Sequence, residues 1–169
     1  MLTLVVFDAI KNRRSIREYL DVDINTDIIN KLIESAISAP SGKNLQPWRF
    51  RIVTNKQEIQ NLSKLSKNEK WMQLAPCFFL CFLDKKVSYN YIKDVQSCGA
   101  AIQNVLLCSY SFGIGSCWIG DIIEYSNEVK KILMIDEPYL ELMGLVALGY
   151  YDDTKVIRQK RYDKNHFII

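Results

Sequence analysis

The chain has 169 residues, with 22 basic and 19 acidic side chains and a formal charge of +3 at pH 7. That length can bury a core without disulfide or metal staples, so a single domain spanning 1–169 is expected. The near balance of charge gives no global demand for nucleic acid or an anionic membrane as partner, and neither is expected.

The opening "MLTLVVFDAIKNRR" places its positive charge after a short apolar run, the reverse of a signal peptide. No run approaches the roughly 20 apolar residues of a membrane span, so a soluble, cytoplasmic protein is expected. Residues 4–20 read as a first helix, with Val5, Ile10 and Ile16 inward and Lys11, Arg13, Arg14 and Arg17 crowding its second half. Asn25 and Thr26 can cap a second helix, in which Ile28, Ile29, Leu32, Ile33, Ala36 and Ile37 recur at helical spacing. Pro40 and Gly42 stop it, inside the stretch "APSGKNLQPWRF" (39–50), whose polar groups exceed what a plain turn needs.

"RFRIVTN" then alternates as a strand, and a polar helix from Lys56 to Ser66 follows. "NEKWMQLAP" predicts a short helix stopped near Pro76, and "CFFLCFL" a strand covered on both faces. Tyr91 to Phe112 carries the longest helical pattern, apolar nearly all round and therefore central or at a subunit interface. "GIGSCWIG" (113–120) terminates it as a loop, a short helix spans Asn127 to Met134, and "ELMGLVALGYY" supplies a further strand. The tail adds a second basic cluster, Lys155, Arg158, Lys160, Arg161 and Lys164. Three or four strands joined by long helical stretches predict a layered sheet flanked by helices.

In "RRSIR" (13–17), three guanidiniums and the Ser15 hydroxyl can surround a phosphate, because Arg presents paired donors in a planar fork. On spacing alone a solvated helix face is the favoured reading of the segment, since basic clusters of this size are common. "GIGSCWIG" is not a dinucleotide fingerprint: its spacing is wrong and a helix precedes it. Gly113 is better read as a left-handed helix cap, leaving backbone N–H groups beyond it for a ligand. The five cysteines are odd in number and lack C-x-x-C spacing, and the single histidine, His166, is distant from them, so free buried thiols are expected and no metal site. Cys117 reads as a space-filler, since no base accompanies it. Trp48 and Trp118 suit core, interface or cofactor contact equally. His166 beside "FII" suits docking of the tail on a partner copy. With no Ser-His-Asp set or carboxylate pair, a cofactor is the natural carrier of any reactivity.

Taken in order, "RRSIREY", "APSGKNLQPWRF", "NEKWMQLAP" and "AAIQNVLLCSYSFGIGSCWIG" with "ALGYY" resemble the nitroreductase family of FMN-dependent oxidoreductases over nearly the whole chain. The resemblance implies an α+β fold, a central, mainly antiparallel sheet wrapped by helices, and an intertwined homodimer with two FMN sites shared between subunits. It assigns Arg13, Arg14 and Ser15 to phosphate and ribityl, and Arg17 to the N1 and C2-carbonyl edge of the flavin as the electrostatic catalytic group. The partner subunit's Pro40, Ser41 and Gly42 are expected along the ring, with Asn44 and Gln46 nearby. Asn68 would meet the pyrimidine end, the backbone from Trp118 through Ile119 to Gly120 would approach N5, and Lys160 and Arg161 would close on the phosphate.

The implied reaction is hydride transfer from NADH or NADPH to flavin N5, then electron transfer to a nitroaromatic, quinone or similar acceptor in ping-pong order. Alternatives are a flavin carrier or sensor without turnover, and a specialised substrate such as one undergoing dehalogenation. The chain is short for the family, so the insertions that cover the substrate pocket in longer members are expected to be reduced.

Overall fold

The computed structural model describes residues 6–156 and 160–168; Val5 and Arg158 lie outside them. Four strands, β1 (Trp48–Val53), β2 (Cys77–Asp84), β3 (Gly115–Ile119) and β4 (Leu140–Gly149), form one sheet in the order β1-β2-β4-β3. All three neighbouring pairs are antiparallel, as the expected α+β class requires.

Strand β2 is buried along its whole length. Its period of two sends Cys77, Phe79, Cys81 and Leu83 to one face and Phe78, Leu80 and Phe82 to the other, and each face has its own apolar cluster. Helices α2 (Thr26–Ile37) and α5 (Tyr91–Ser111) cover the first face through Leu32, Ala36, Cys98, Ala101 and Val105. Helices α3 (Lys56–Ser63), α4 (Glu69–Met72) and α6 (Ser126–Ile132) cover the second through Ile59, Leu62, Met72 and Val129. The sheet is thus the middle of three layers.

Asn25 caps α2 as expected, and Asn55 caps α3 without having been singled out from the sequence. The Asn25 side chain accepts from the Asp27 N–H at 2.7 Å, and Asn55 accepts from the N–H groups of Gln57 and Glu58 at 2.9 and 3.1 Å. Gly113, at φ 70°, ends α5 as a left-handed cap should. Trp48 resolves to core, stacked near Phe50 at 6.4 Å.

Two expectations fail. The first helix, α1 (Val6–Asn12), ends well short of residue 20, and Ile10 is 54% exposed in the isolated chain. "GIGSCWIG" is not a loop throughout, because Gly115–Ile119 pairs with β4 as an edge strand. The early end of α1 follows from the same edge: Ser15 bridges to Ser116, and the Ile16 N–H donates to the Ser116 carbonyl at 3.0 Å. Long-range pairing therefore overrides the local helical pattern after Asn12. Gly115 permits this approach, since a Cβ there would meet Ile16 at 2.9 Å.

Candidate functional site

Past α1 the chain runs alongside the sheet edge at β3. The Leu20 N–H donates to Tyr150 at 2.8 Å, and the Tyr19 hydroxyl donates to the Ile16 carbonyl at 2.8 Å. With Ile16 buried, its neighbours Ser15 and Arg17 point the other way and are exposed. The Arg14 Nη1 caps the end of α1, donating to the carbonyls of Lys11 and Arg13, both at 2.8 Å. Its Nε is buried with no hydrogen-bond partner among the described residues. Arg13 is half-buried, and burial, then Arg161 and Arg14, push its guanidinium below the ordinary arginine value.

Two grooves flank this segment and share Arg17. The first, about 530 Å³, is lined by Arg14, Ser15, Arg17, Lys155, Lys160 and Arg161, with Glu18 and Asp152 the acidic residues on its wall. Basic side chains outnumber acidic ones, the chemistry of a compact anion site. An orphaned buried guanidinium N–H fits the same purpose, because unpaired buried donors are rare without a ligand. The second groove, about 360 Å³, brings Arg17 together with Asn68, Trp71, Trp118 and the backbone turn at Gly120. Its aromatic walls suit a planar ring. A phosphate-bearing planar ligand would therefore span both grooves, with Arg17 where they meet.

Asp121, Trp71 and Lys67 belong to the second groove and were not identified from sequence. The Asp121 carboxylate accepts from the Ser66 hydroxyl at 2.9 Å, the Lys67 N–H at 3.2 Å and the Asn68 amide at 3.4 Å. The Trp71 indole N–H donates to Asn68 Oδ1 at 3.2 Å, while its ring faces the Arg17 guanidinium, 5.8 Å from the centroid. Position was the available signal: Lys67 and Trp71 flank Asn68 within one turn, and Asp121 directly follows Gly120.

The remaining candidates, Pro40, Ser41, Gly42, Asn44 and Gln46, lie before β1, at the opposite edge of the sheet from β3. Lys43, Asn44 and Gln46 have φ values of 54°, 55° and 50°, so three non-glycine residues occupy the left-handed region in one short loop. Internal bonds hold this conformation: the Gln46 N–H donates to Ser41 Oγ at 3.0 Å, and its side-chain amide donates to the Asn44 carbonyl at 3.3 Å. The Tyr89 ring fills the space a Cβ on Gly42 would need, and Lys43 Nζ lies 4.8 Å from that ring's centroid. Strain concentrated in an exposed loop is a mark of a binding surface.

All five cysteines are free. Burial pushes the Cys117 thiol up, against the pull of Arg17, Ser15 and Arg13, so it is a protonated wall of the groove. Among the described residues no cluster of His, Cys, Asp or Glu could hold a metal, and no helix is long and apolar enough to cross a membrane. His166 packs against Tyr162, with ring centroids 5.0 Å apart, in a tail that keeps Phe167 exposed.

Residues 10–82 and 62–150 match the model of the nitroreductase family. An Archaeoglobus fulgidus protein assigned as an NADH dehydrogenase/NAD(P)H nitroreductase is 35% identical over 86% of this chain and 85% of its own. An FMN reductase (NAD(P)H) of Bacillus subtilis is 25% identical over 83% of this chain and 64% of its own. The crystal structure of a Desulfovibrio desulfuricans protein assigned as a nitroreductase, in complex with FMN, superposes with a TM-score of 0.91 at 30% identity, over 97% of this chain and 95% of that one.

Proposed function

Because the chain belongs to the nitroreductase family, we propose that it is an FMN-dependent NAD(P)H oxidoreductase acting as a homodimer, each of whose two sites draws on both copies. The observation that carries this reading is the pair of grooves sharing Arg17, one basic and one aromatic. Arg14 with its unpartnered Nε, Ser15, Lys160 and Arg161 would hold the phosphate, with Arg13 lending charge from behind. Asn68, Arg17 and the backbone from Trp118 through Ile119 to Gly120 would hold the ring. When bound, FMN supplies a centre that takes hydride from NAD(P)H at N5 and passes the electrons on to a nitroaromatic, quinone or related acceptor.

Arg17 supplies a fixed cation at the edge where negative charge gathers, and preorganised donors of this kind are worth roughly 3 to 4 kcal/mol. The partner copy's Pro40, Ser41, Gly42, Asn44 and Gln46 would close the other side and exclude water. Donor and acceptor would use the same open face in turn, giving ping-pong kinetics. Free, mostly buried thiols suit a reducing cytoplasm.

The test is an absorption titration of purified protein with FMN, followed by anaerobic addition of NADH or NADPH and then a quinone or nitroaromatic. Bound flavin that bleaches and recovers is expected. Absence of flavin binding would refute the reading, and flavin that binds but never bleaches would leave only a carrier. Mixing Arg17→Ala with Asn44→Ala/Gln46→Ala copies should restore one intact site per mixed dimer, whereas a site confined to one chain would gain nothing.

A further inference from the structure

We propose that Asp121 and Trp71 are positioning residues that lock the Asn68 amide in one orientation, so that this chain presents a hydrogen-bond acceptor, flanked by the Arg17 donor, to the pyrimidine edge of its ligand. The proposal rests on the FMN reading for the ligand, but its geometry is internal to the chain. Asn68 Nδ2 lies 3.4 Å from the Asp121 carboxylate and 3.2 Å from Ser66 Oγ, while Asn68 Oδ1 lies 3.2 Å from the Trp71 indole nitrogen. A carboxylate only accepts and an indole only donates. A flipped amide would set its carbonyl against the carboxylate and its NH₂ against the indole N–H, losing both bonds at once.

Asp121 is itself immobilised, by the Ser66 hydroxyl at 2.9 Å and the Lys67 N–H at 3.2 Å. Asn68 Oδ1 keeps a second lone pair for an N–H on the ligand. The same indole limits where Arg17 can swing, because the guanidinium sits 5.8 Å from its centroid and Arg17 makes no ion pair among the described residues. Tyr19 backs the indole at 6.5 Å. An acceptor beside a cationic donor matches an imide edge, whose ring N–H lies between two carbonyls. Flavin N3–H is such a group.

The experiment compares FMN with N3-methyl-FMN, which lacks that N–H, in the wild type, Trp71→Phe and Asp121→Ala. The wild type should bind N3-methyl-FMN about tenfold more weakly, the worth of one neutral hydrogen bond. In both variants this discrimination should fall to near unity, with FMN affinity itself reduced several-fold. In the apoprotein, Asp121→Ala should also shift the Trp71 indole N–H resonance, identified by its loss in Trp71→Phe. Undiminished discrimination in both variants, or an unmoved indole resonance, overturns the proposal. A wild type that binds no FMN refutes the functional reading instead, and the apoprotein resonance then decides this one.

Discussion

Replacing Asp94 with Ala should destabilise the apoprotein by about 3 kcal/mol. One oxygen of this buried carboxylate accepts from the Ser88 hydroxyl at 2.7 Å and from the N–H groups of Tyr89 and Asn90, both at 3.0 Å. A bond to a charged acceptor is worth about 1.5 to 3 kcal/mol, and three bonds on one oxygen do not add fully. Two of the released donors are backbone groups of the turn that leads into α5, while the helix's own cap, Asn90 accepting from the Lys93 N–H at 3.1 Å, stays in place. At about 2 to 4 °C per kcal/mol for a chain of this size, the melting temperature should fall by roughly 6 to 12 °C. The damage should reach the site, because the turn carries Tyr89, the ring that props Gly42 and the strained loop. FMN affinity should therefore fall as well. Asp94→Asn keeps an acceptor and loses the charge, and should cost about 1 kcal/mol. Burial alone would raise the Asp94 carboxyl, but the Asn90 N–H, the Ser88 hydroxyl and the Tyr89 N–H together hold it below the usual carboxylate value. Its folded pKa is thus lower than its unfolded one, so its stabilisation is present above the unfolded value near ~3.9 and is lost as pH falls through the folded value. Urea unfolding of apoprotein at pH 7 and again below about pH 4 reads both effects. A midpoint for Asp94→Ala equal to wild type at pH 7, with an unchanged slope, would refute the reasoning.

Gly144→Ala should cost about 2 kcal/mol by thermal melting and perturb tryptophan fluorescence, because the new Cβ would overlap the Trp118 indole where Met143 bulges β4. Asn44→Gly should separate two roles: relief of φ 55° should raise stability by up to about 1 kcal/mol in urea, while loss of the amide weakens FMN in titration. In a thiol titration of the native protein at pH 8, Cys108, the only partly exposed cysteine, should react first, with all five reacting after unfolding. Cys77, whose thiol burial holds at about 12, should be among the last.

Where the sequence pattern is local and strong, it predicts the fold. Leu32 and Ala36 on α2, all of β2 and the inward stripe of α5 are buried as their spacing requires. It fails where the deciding partner is remote. Arg13 to Arg17 has the composition of a helix face, and the residue that makes it extended is Ser116, about a hundred positions on. The same applies to β3, a short edge strand with a glycine at its head that pairs with β4, Leu140–Gly149, across the intervening α6. In the site, Arg17, Asn68 and Gly120 were found as members of recognisable motifs, and they converge on one groove. Asp121 was not, because a single Asp after a glycine carries no pattern, and its three donors lie 53 to 55 positions earlier.

The sheet order bears most directly on the number of chains in a site. Strand β1, which follows the loop, and β3, beside which the Arg17 segment runs, are opposite edges with β2 and β4 between them, about 14 Å apart at usual strand spacing. They are also offset along the strands: Trp48 pairs with Leu83, which faces Glu141, while Cys117 beside Arg17 pairs with Ala147. The six residues along β4, one of them the bulge at Met143, match five on β2 and add roughly 17 Å, giving a separation on the order of 20 Å through a packed sheet. No planar ring can touch both surfaces of one chain. Either the strained loop serves something other than the groove at Arg17, or a second copy delivers it. A second copy also accounts for the uncovered apolar face of α1, where Val6, Phe7 and Ile10 are all more than half exposed, next to the segment that the copy would have to reach.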